Sequence, residues 1–254
     1  MRPTTSDWFV PFKPRPDAAL RLFCFPYGGG GAGIYRSWVD GLPANVEVLA
    51  ARLPGRETRI AEPPFTDVHE LVRAATPHLL AQIDRPFALF GHSVGALAVF
   101  ELARHLRKTH NRRPVRLFVS GRGAAHIPDP NPPIHALPEP EFIAGVTRLN
   151  GMPREILEHR ELMELLVPTM RADFAIGETY SYREDTPLDF PMTALGGNTD
   201  IDVPEAEIMA WAMHTAAGFD PHMIEGDHFF INTARDTVLG IVARNLTQDI
   251  AARP

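Results

Sequence analysis

A serine set between glycines, with an aspartate and then a histidine further down the chain, can perform nucleophilic catalysis at a carbonyl carbon. Here the serine is Ser93, in Phe87-Ala88-Leu89-Phe90-Gly91-His92-Ser93-Val94-Gly95-Ala96. A serine hydroxyl is a poor nucleophile near neutral pH and needs an imidazole to take its proton. The imidazole in turn needs a carboxylate that fixes its tautomer and stabilises its charged form. Two downstream turns offer these groups: Gly196-Gly197-Asn198-Thr199-Asp200-Ile201-Asp202 and Gly226-Asp227-His228-Phe229-Phe230. We assign Ser93 as nucleophile, His228 as base and then acid, and Asp200 as the orienting carboxylate. Asp202 is the rival, set aside because Asp200 lies closer to the end of the preceding apolar run. His92 adjoins Ser93, but side chains of neighbouring residues diverge, so it is assigned to packing or loop hydrogen bonding.

With glycine and serine each near 7% of residues, Gly-x-Ser-x-Gly arises by chance in on the order of one chain in ten of this size. Its context decides. Pro86 to Phe90 is short, apolar and aromatic, which suits a strand buried on both faces. After the turn, Val99, Leu102, Ala103 and Leu106 recur at helical spacing. A serine on such a sharp strand-to-helix turn has its Oγ pushed out above the sheet, over the free N–H groups of a helix N-terminus. The expected oxyanion hole is the N–H of Val94 with an amide of the first glycine-rich loop, assigned to Gly28.

Other elements must bring these residues together. Leu20 to Phe25 reads as a core strand leading into Pro26-Tyr27-Gly28-Gly29-Gly30-Gly31-Ala32-Gly33, a flexible glycine run whose amides can line a pocket, and then a helix from Ile34 through Val39. The run lacks the Gly-Lys-Ser/Thr ending of a phosphate loop, and the spacing and ribose-binding acid of a dinucleotide fingerprint. Val46 to Ala51 reads as a strand followed by the arginine-rich turn Arg52 to Arg59, a helix from Asp67 to Gln82 and, beyond the serine helix, a strand from Val115 to Ser120. Such alternation predicts a mostly parallel sheet flanked by helices, with ligands at the carboxyl ends of the strands. From about 126 to 189 the strand pattern gives way to helical stretches, Glu139 to Leu149, Arg154 to His159 and Glu161 onward, the last bent or restarted at Pro168. A helical insertion there is either extra packing or a lid. Its methionines (Met152, Met163, Met170) suit a surface that accommodates varied apolar chains, or serve as core filler. Strands at Met192 to Leu195 and His222 to Glu225 and a helix from Glu205 to His214 follow, and a last helix is capped near Asn232. Ser, Asp, His is the chain order of an α/β-hydrolase. Residues 1–254 are read as a single α/β-hydrolase domain with a lid at about 126–189.

Composition sets bounds. The chain has 254 residues, 44% of them hydrophobic and 22% charged, with a net charge of -6. These are globular values and argue against a dedicated nucleic-acid binder. The single cysteine, Cys24, excludes an internal disulfide and reads as a buried inert thiol. No stretch resembles a signal peptide or a membrane span, so the expectation is cytoplasmic. Nothing calls for more than a monomer.

Taken with Phe25-Pro26-Tyr27-Gly28-Gly29-Gly30, Leu53-Pro54-Gly55-Arg56, Leu166-Val167-Pro168-Thr169-Met170-Arg171-Ala172-Asp173-Phe174 and Glu178-Thr179-Tyr180, these motifs resemble those of type II thioesterases, the stand-alone editing hydrolases of non-ribosomal peptide and polyketide synthases. The family more often reads Pro-His-Ala-Gly-Gly at the first loop and Met after the serine. Tyr27, Gly28 and Val94 depart from that, but the oxyanion donors are backbone amides and survive the exchange. The resemblance implies a serine thioesterase acting on acyl groups carried on the phosphopantetheine arm of acyl or peptidyl carrier proteins. It implies neither a metal nor a protein-bound cofactor, since the arm belongs to the partner. Carrier docking is expected on the lid and on Arg52, Arg56 and Arg59. The basic stretch Arg104, Arg107, Lys108, Arg112, Arg113 and Arg116 lies about 20 Å from Ser93 at 1.5 Å per helical residue, and is read as solvated charge. Alternatives are a chain-releasing thioesterase or general carboxylesterase, a non-catalytic acyl-binding module and, more distantly, a nucleotide-binding protein.

Overall fold

The computed structural model describes residues 7–148 and 159–253. Its strands are β1 (Phe9–Val10), β2 (Leu20–Phe25), β3 (Val46–Ala51), β4 (Phe87–His92), β5 (Leu117–Ser120), β6 (Met192–Gly197) and β7 (Phe219–Ile224). They form one sheet in the order β1-β3-β2-β4-β5-β6-β7, parallel throughout except that β1 pairs antiparallel with β3. Every residue of β3, β4, β5 and β6 is buried. That burial explains why these strands read as largely apolar runs, with Glu47, His92, Ser120 and Thr193 as their buried polar members: helices cover both faces.

The helices are α1 (Trp38–Gly41), α2 (Val68–Leu80), α3 (Val94–His110), α4 (Glu139–Arg148), α5 (Arg160–Glu178), α6 (Glu205–Met209), α7 (Phe230–Thr233) and α8 (Arg235–Ala251). Phe23, Phe25 and Leu89 pack with α2 and α3 on one face of the sheet, and Leu22, Cys24 and Phe90 with α1 and α8 on the other. Cys24 is fully buried, and burial pushes its thiol well above the ordinary value, which makes it an inert core residue. Helices α4 and α5 share a small separate core of Phe142, Val146, Met163, Val167 and Met170. Met163 and Met170 are therefore filler.

Chain order steps from β2 one way to β3 and then the other way through β4 to β7. The β2–β4 pair is thus the switch point, where neighbouring loops part and a crevice opens at the carboxyl ends. Phe25 is in register with Gly91, so the glycine loop and the serine turn leave the sheet side by side.

Several elements differ from expectation. β1 has only two residues, too few to show a period. β7 starts at Phe219, earlier than read, because it is a half-buried edge strand that tolerates Pro221. The segment 32–41 is a 3₁₀ turn over Ala32–Tyr35 followed by α1, not one helix. After α6 the chain tightens into a 3₁₀ turn over Ala210–His214. α5 runs unbroken through Pro168, since the packing of Val167 and Met170 outweighs the loss of one backbone donor. Asn232 lies inside α7, and α8 begins three residues later. The helix read at Arg154 to His159 lies outside the described residues except for His159, which precedes α5.

Candidate active site

Ser93 leaves β4 and enters α3 with φ at 56° and ψ at -121°. Such a conformation costs on the order of 1–3 kcal/mol and persists only where the surroundings enforce it. Two glycines do so. A Cβ on Gly91 would sit 2.0 Å from the Gly95 carbonyl oxygen, and one on Gly95 would sit 2.4 Å from the Phe25 oxygen and 2.5 Å from the Pro26 oxygen. The first turn of α3 therefore rests on the carbonyl end of β2. Ser93 N donates to the Ser120 carbonyl at 2.7 Å and Ala96 N to the Ser93 carbonyl at 2.9 Å.

The strand-end turns after β6 and β7 bring Asp200 and His228 together, with His228 Nδ1 2.8 Å from Asp200 Oδ2. A carboxylate can only accept, so Nδ1 carries the proton and Nε2 is left as the base. The Asp200 side chain is 1% exposed. Its burial works against ionisation. Hydrogen bonds from His228 and from the backbone N–H groups of Asp202 and Val203 outweigh that and hold the carboxyl below its usual range. Asp202 turns elsewhere, accepting from Asn131 Nδ2 and Arg148 at 3.3 Å each. The geometry favours Asp200.

His92 ties the serine turn to the histidine turn. Fully buried, it has its pKa lowered to about 3 by burial and by the nearby His228, so its ring is neutral. Its Nε2 donates to the His228 carbonyl at 2.8 Å, and its Nδ1 accepts from Ser120 Oγ at 2.8 Å. The carbonyl cannot donate, which fixes that tautomer. The rings of His92 and His228 lie 5.4 Å apart. Loop hydrogen bonding is the role assigned to His92 from sequence, and Ser120 is the partner that sequence did not reveal.

Val94 N opens α3 beside the glycine loop that carries Gly28. That loop is held, not free. Gly29 N donates to Asp173 Oδ2 at 2.8 Å, Gly33 N donates to Glu57 Oε1 at 3.0 Å, and Arg56 donates to the Gly30 carbonyl at 2.7 Å. Met170 and Phe174 of α5 cover Gly29 and Gly28.

A family model described as Thioesterase domain matches residues 20–246. The chain belongs to the thioesterase family. Gramicidin S biosynthesis protein GrsT of Aneurinibacillus migulanus is 40% identical over 248 residues, 98% of this chain and 97% of that one. A Brevibacillus parabrevis protein named linear gramicidin dehydrogenase LgrE is 45% identical over 244 residues, 95% of this chain and 93% of that one. Among solved structures, the type II thioesterase BorB from the borrelidin biosynthetic cluster superposes with a TM-score of 0.88 at 35% identity, covering 96% of this chain and 99% of that one.

In this thioesterase two of the three arginines read as a docking surface, Arg56 and Arg59, are committed inside the protein, while Arg52 is half-buried and faces Glu57 at 3.6 Å. Arg56 is 6% exposed and grips Asp173 through two nitrogens. Arg59 is 9% exposed, pairs with Glu62, donates to the Arg52 carbonyl and lies over the Trp8 ring. Neither is available to an acidic partner. The basic stretch divides: Lys108, Arg112 and Arg113 are exposed, as read, while Arg104, Arg107 and Arg116 are half-buried and paired. Arg104 bonds Glu101, Arg107 the carbonyls of Thr186 and Pro187, Arg113 Asp189, and Arg116 Asp249. The bonds of Arg107 and Arg113 fasten the segment after α5 to α3 and to the loop before β5, and those of Arg116 fasten α8 to the start of β5.

A narrow, mostly apolar slit with about 10 Å³ of free space lies between Phe25, Leu53, Val94, Ala98 and Ile176, with Arg56 and Asp173 in its wall. A second cavity of about 190 Å³, lined by Asp67, His69, Tyr180 and Arg183, shares Ile176 as its wall. No helix among the described residues is long and apolar enough to cross a membrane.

Proposed function

We propose that this thioesterase hydrolyses acyl groups from the phosphopantetheine arm of acyl or peptidyl carrier proteins, clearing misprimed or stalled synthases. The reading rests most on one observation: the Asp200–His228 pair, its carboxylate buried and its imidazole part-exposed, stands on the turn that His92 ties to a strained Ser93 at the sheet's switch point. The likeness to type II thioesterases such as BorB supports the carrier-bound substrate.

In this mechanism His228 Nε2 takes the Ser93 proton as Oγ attacks the thioester carbon. The carbonyl π pair moves to oxygen, and the N–H groups of Val94 and Gly28 receive that oxyanion. Each such donor is worth roughly 2.7–4 kcal/mol at the transition state. Collapse expels the pantetheine sulfur, which takes the proton from the His228 imidazolium and leaves as the thiol, so that His228 is again a free base. Free thiols titrate near 8.5, so this leaving group asks less of His228 as an acid than an alcohol does. Water, deprotonated by His228, attacks the acyl-serine and releases the carboxylic acid. Asp200 keeps Nδ1 protonated throughout and balances the imidazolium. The narrow slit beside Val94 is the apolar space next to that donor, and the first carbons of the acyl chain enter it as Ile176 gives way.

A panel of acyl thioesters on pantetheine and on a carrier protein, with oxyester controls and the Ser93→Ala variant, tests this reading. Thioester turnover that Ser93→Ala abolishes, and that is faster on the carrier, supports it. Preference for oxyesters would make the protein a carboxylesterase. Folded protein without turnover would leave an acyl-binding module. The dehydrogenase name of the Brevibacillus relative adds one arm, oxidation of a reduced nicotinamide with acyl or aldehyde substrates; turnover there alone would refute hydrolysis.

A further inference from the structure

We propose that Asp173 and Arg56 are positioning residues that pin the turn of the oxyanion loop, so that an ion pair outside the loop holds the Gly28 donor in place. The inference rests on Gly28 as an oxyanion donor. Gly30 N donates to the Tyr27 carbonyl at 2.9 Å, closing a tight turn over residues 27–30. Gly29, third in that turn, has φ at 74°, the value a type II turn requires there. The type I alternative differs by a flip of the central Gly28–Gly29 peptide. With glycine at both central positions, no Cβ hinders that flip. The flip leaves the Tyr27–Gly28 peptide, which carries the donor N–H, nearly in place but unpins the turn beneath it, although a catalytic donor must be held to a fraction of an ångström.

The ion pair supplies what the glycines lack. Asp173 Oδ2 accepts from Gly29 N, the N–H of the peptide that would flip. After a flip the Gly28 carbonyl would face that carboxylate, oxygen against oxygen, and the type I form is thereby excluded. Arg56 holds Asp173 through Nη1 at 3.0 Å and Nη2 at 2.8 Å, and the same Nη1 donates to the Gly30 carbonyl at 2.7 Å. One pair thus holds the amide of Gly29 and the carbonyl of Gly30. Both side chains are buried, at 7% and 3% exposure. Two apolar residues could anchor α5 as firmly. What they could not do is accept from Gly29 N. Thr169 Oγ1, one turn before Asp173, donates to the Gly55 carbonyl at 2.5 Å, which seats α5 on the Arg56 loop as well.

The test is the double variant Arg56→Met/Asp173→Leu, which removes both charges together and leaves none buried alone, with Asp173→Asn beside it. Asparagine keeps an acceptor oxygen for Gly29 N but gives up the charge. The expected result is a loss of about 100-fold in kcat for the double variant, the size of one missing oxyanion donor, with KM nearly unchanged and Asp173→Asn in between. An alkyl boronic acid, which forms a tetrahedral anion on the active serine, should weaken by a like factor. A non-hydrolysable thioether analogue of the substrate, with no oxyanion, should bind as before. Equal weakening of both ligands would make the pair a merely structural anchor and overturn the proposal, as would unchanged kcat and boronate affinity. Should the double variant not fold, the kcat and boronate series on Asp173→Asn decides alone. Failure of the parent reading is separate: it shows as wild-type protein without thioester turnover, or as turnover that survives Ser93→Ala.

Discussion

Replacing His92 by asparagine should flatten the dependence of stability on pH between 7 and 5. The wild-type imidazole is held neutral in the folded state, its pKa lowered to about 3. In the unfolded chain it titrates near 6.5. Between those values the unfolded state binds one more proton than the folded state. Stability from this group is therefore complete above about pH 6.5 and drains away as the pH falls toward 3. Over the window from pH 7 to pH 5 the loss is about 2 kcal/mol at 1.36 kcal/mol per pKa unit. The figure is insensitive to the folded value, which lies far below the window. His214, lowered to about 4 by burial and by His126, adds a similar slope to both proteins and cancels in the comparison. The assay is guanidinium unfolding of wild type and His92→Asn at pH 5, 6, 7 and 8, with a common m-value. The variant loses two buried hydrogen bonds and should be less stable at every pH, so the slope is the diagnostic quantity. Parallel pH dependences would refute a buried neutral His92.

Other expectations follow from single contacts. Asp200→Asn should lower kcat by about 10⁴-fold, the loss seen when the orienting aspartate of a serine protease is amidated, whereas Asp202→Asn should cost less than about tenfold, or 1.4 kcal/mol; steady-state kinetics on one thioester separates them. Gly95→Ala drives a methyl group into the carbonyls of Phe25 and Pro26 and should cost at least 1–3 kcal/mol, about the range for overpacking, so an unchanged melting temperature would count against the packed serine turn. Ile176 walls off the slit beside Val94 from the larger cavity. Ile176→Ala should raise the kcat/KM ratio of octanoyl over acetyl thioesters by about tenfold, near the worth of one methylene in an apolar pocket.

What the sequence revealed follows from what leaves a local mark. β2 and β3 run over the residues read for them, because strands covered on both faces are largely apolar runs bounded by turns, their one charge each, Arg21 and Glu47, pairing at 2.7 Å. Ser93 was legible as a turn between two strong patterns, and Asp200 and His228 as polar residues at the ends of strands. The glycine loop was read as flexible and Arg56 as a surface charge for the opposite reason. The contacts that decide both come from Asp173, 117 residues further on. A sequence hint existed: Asp173 falls three residues after Met170 on a helix face that is otherwise buried, where an unpaired carboxylate would be costly. Pro168 misled because local propensity was weighed without the core that α4 and α5 share.

The measurement that bears most directly on the central claim is the mass of the enzyme caught during turnover. Acetyl- or propionyl-pantetheine is mixed with excess enzyme, quenched in acid within the first turnover, and the protein is digested and mapped. The mechanism predicts one acyl increment, on the peptide carrying Ser93, absent from Ser93→Ala and accumulating when Asp200 is replaced by asparagine. Acylation at another residue, or rapid hydrolysis with Ser93 never modified, would contradict it.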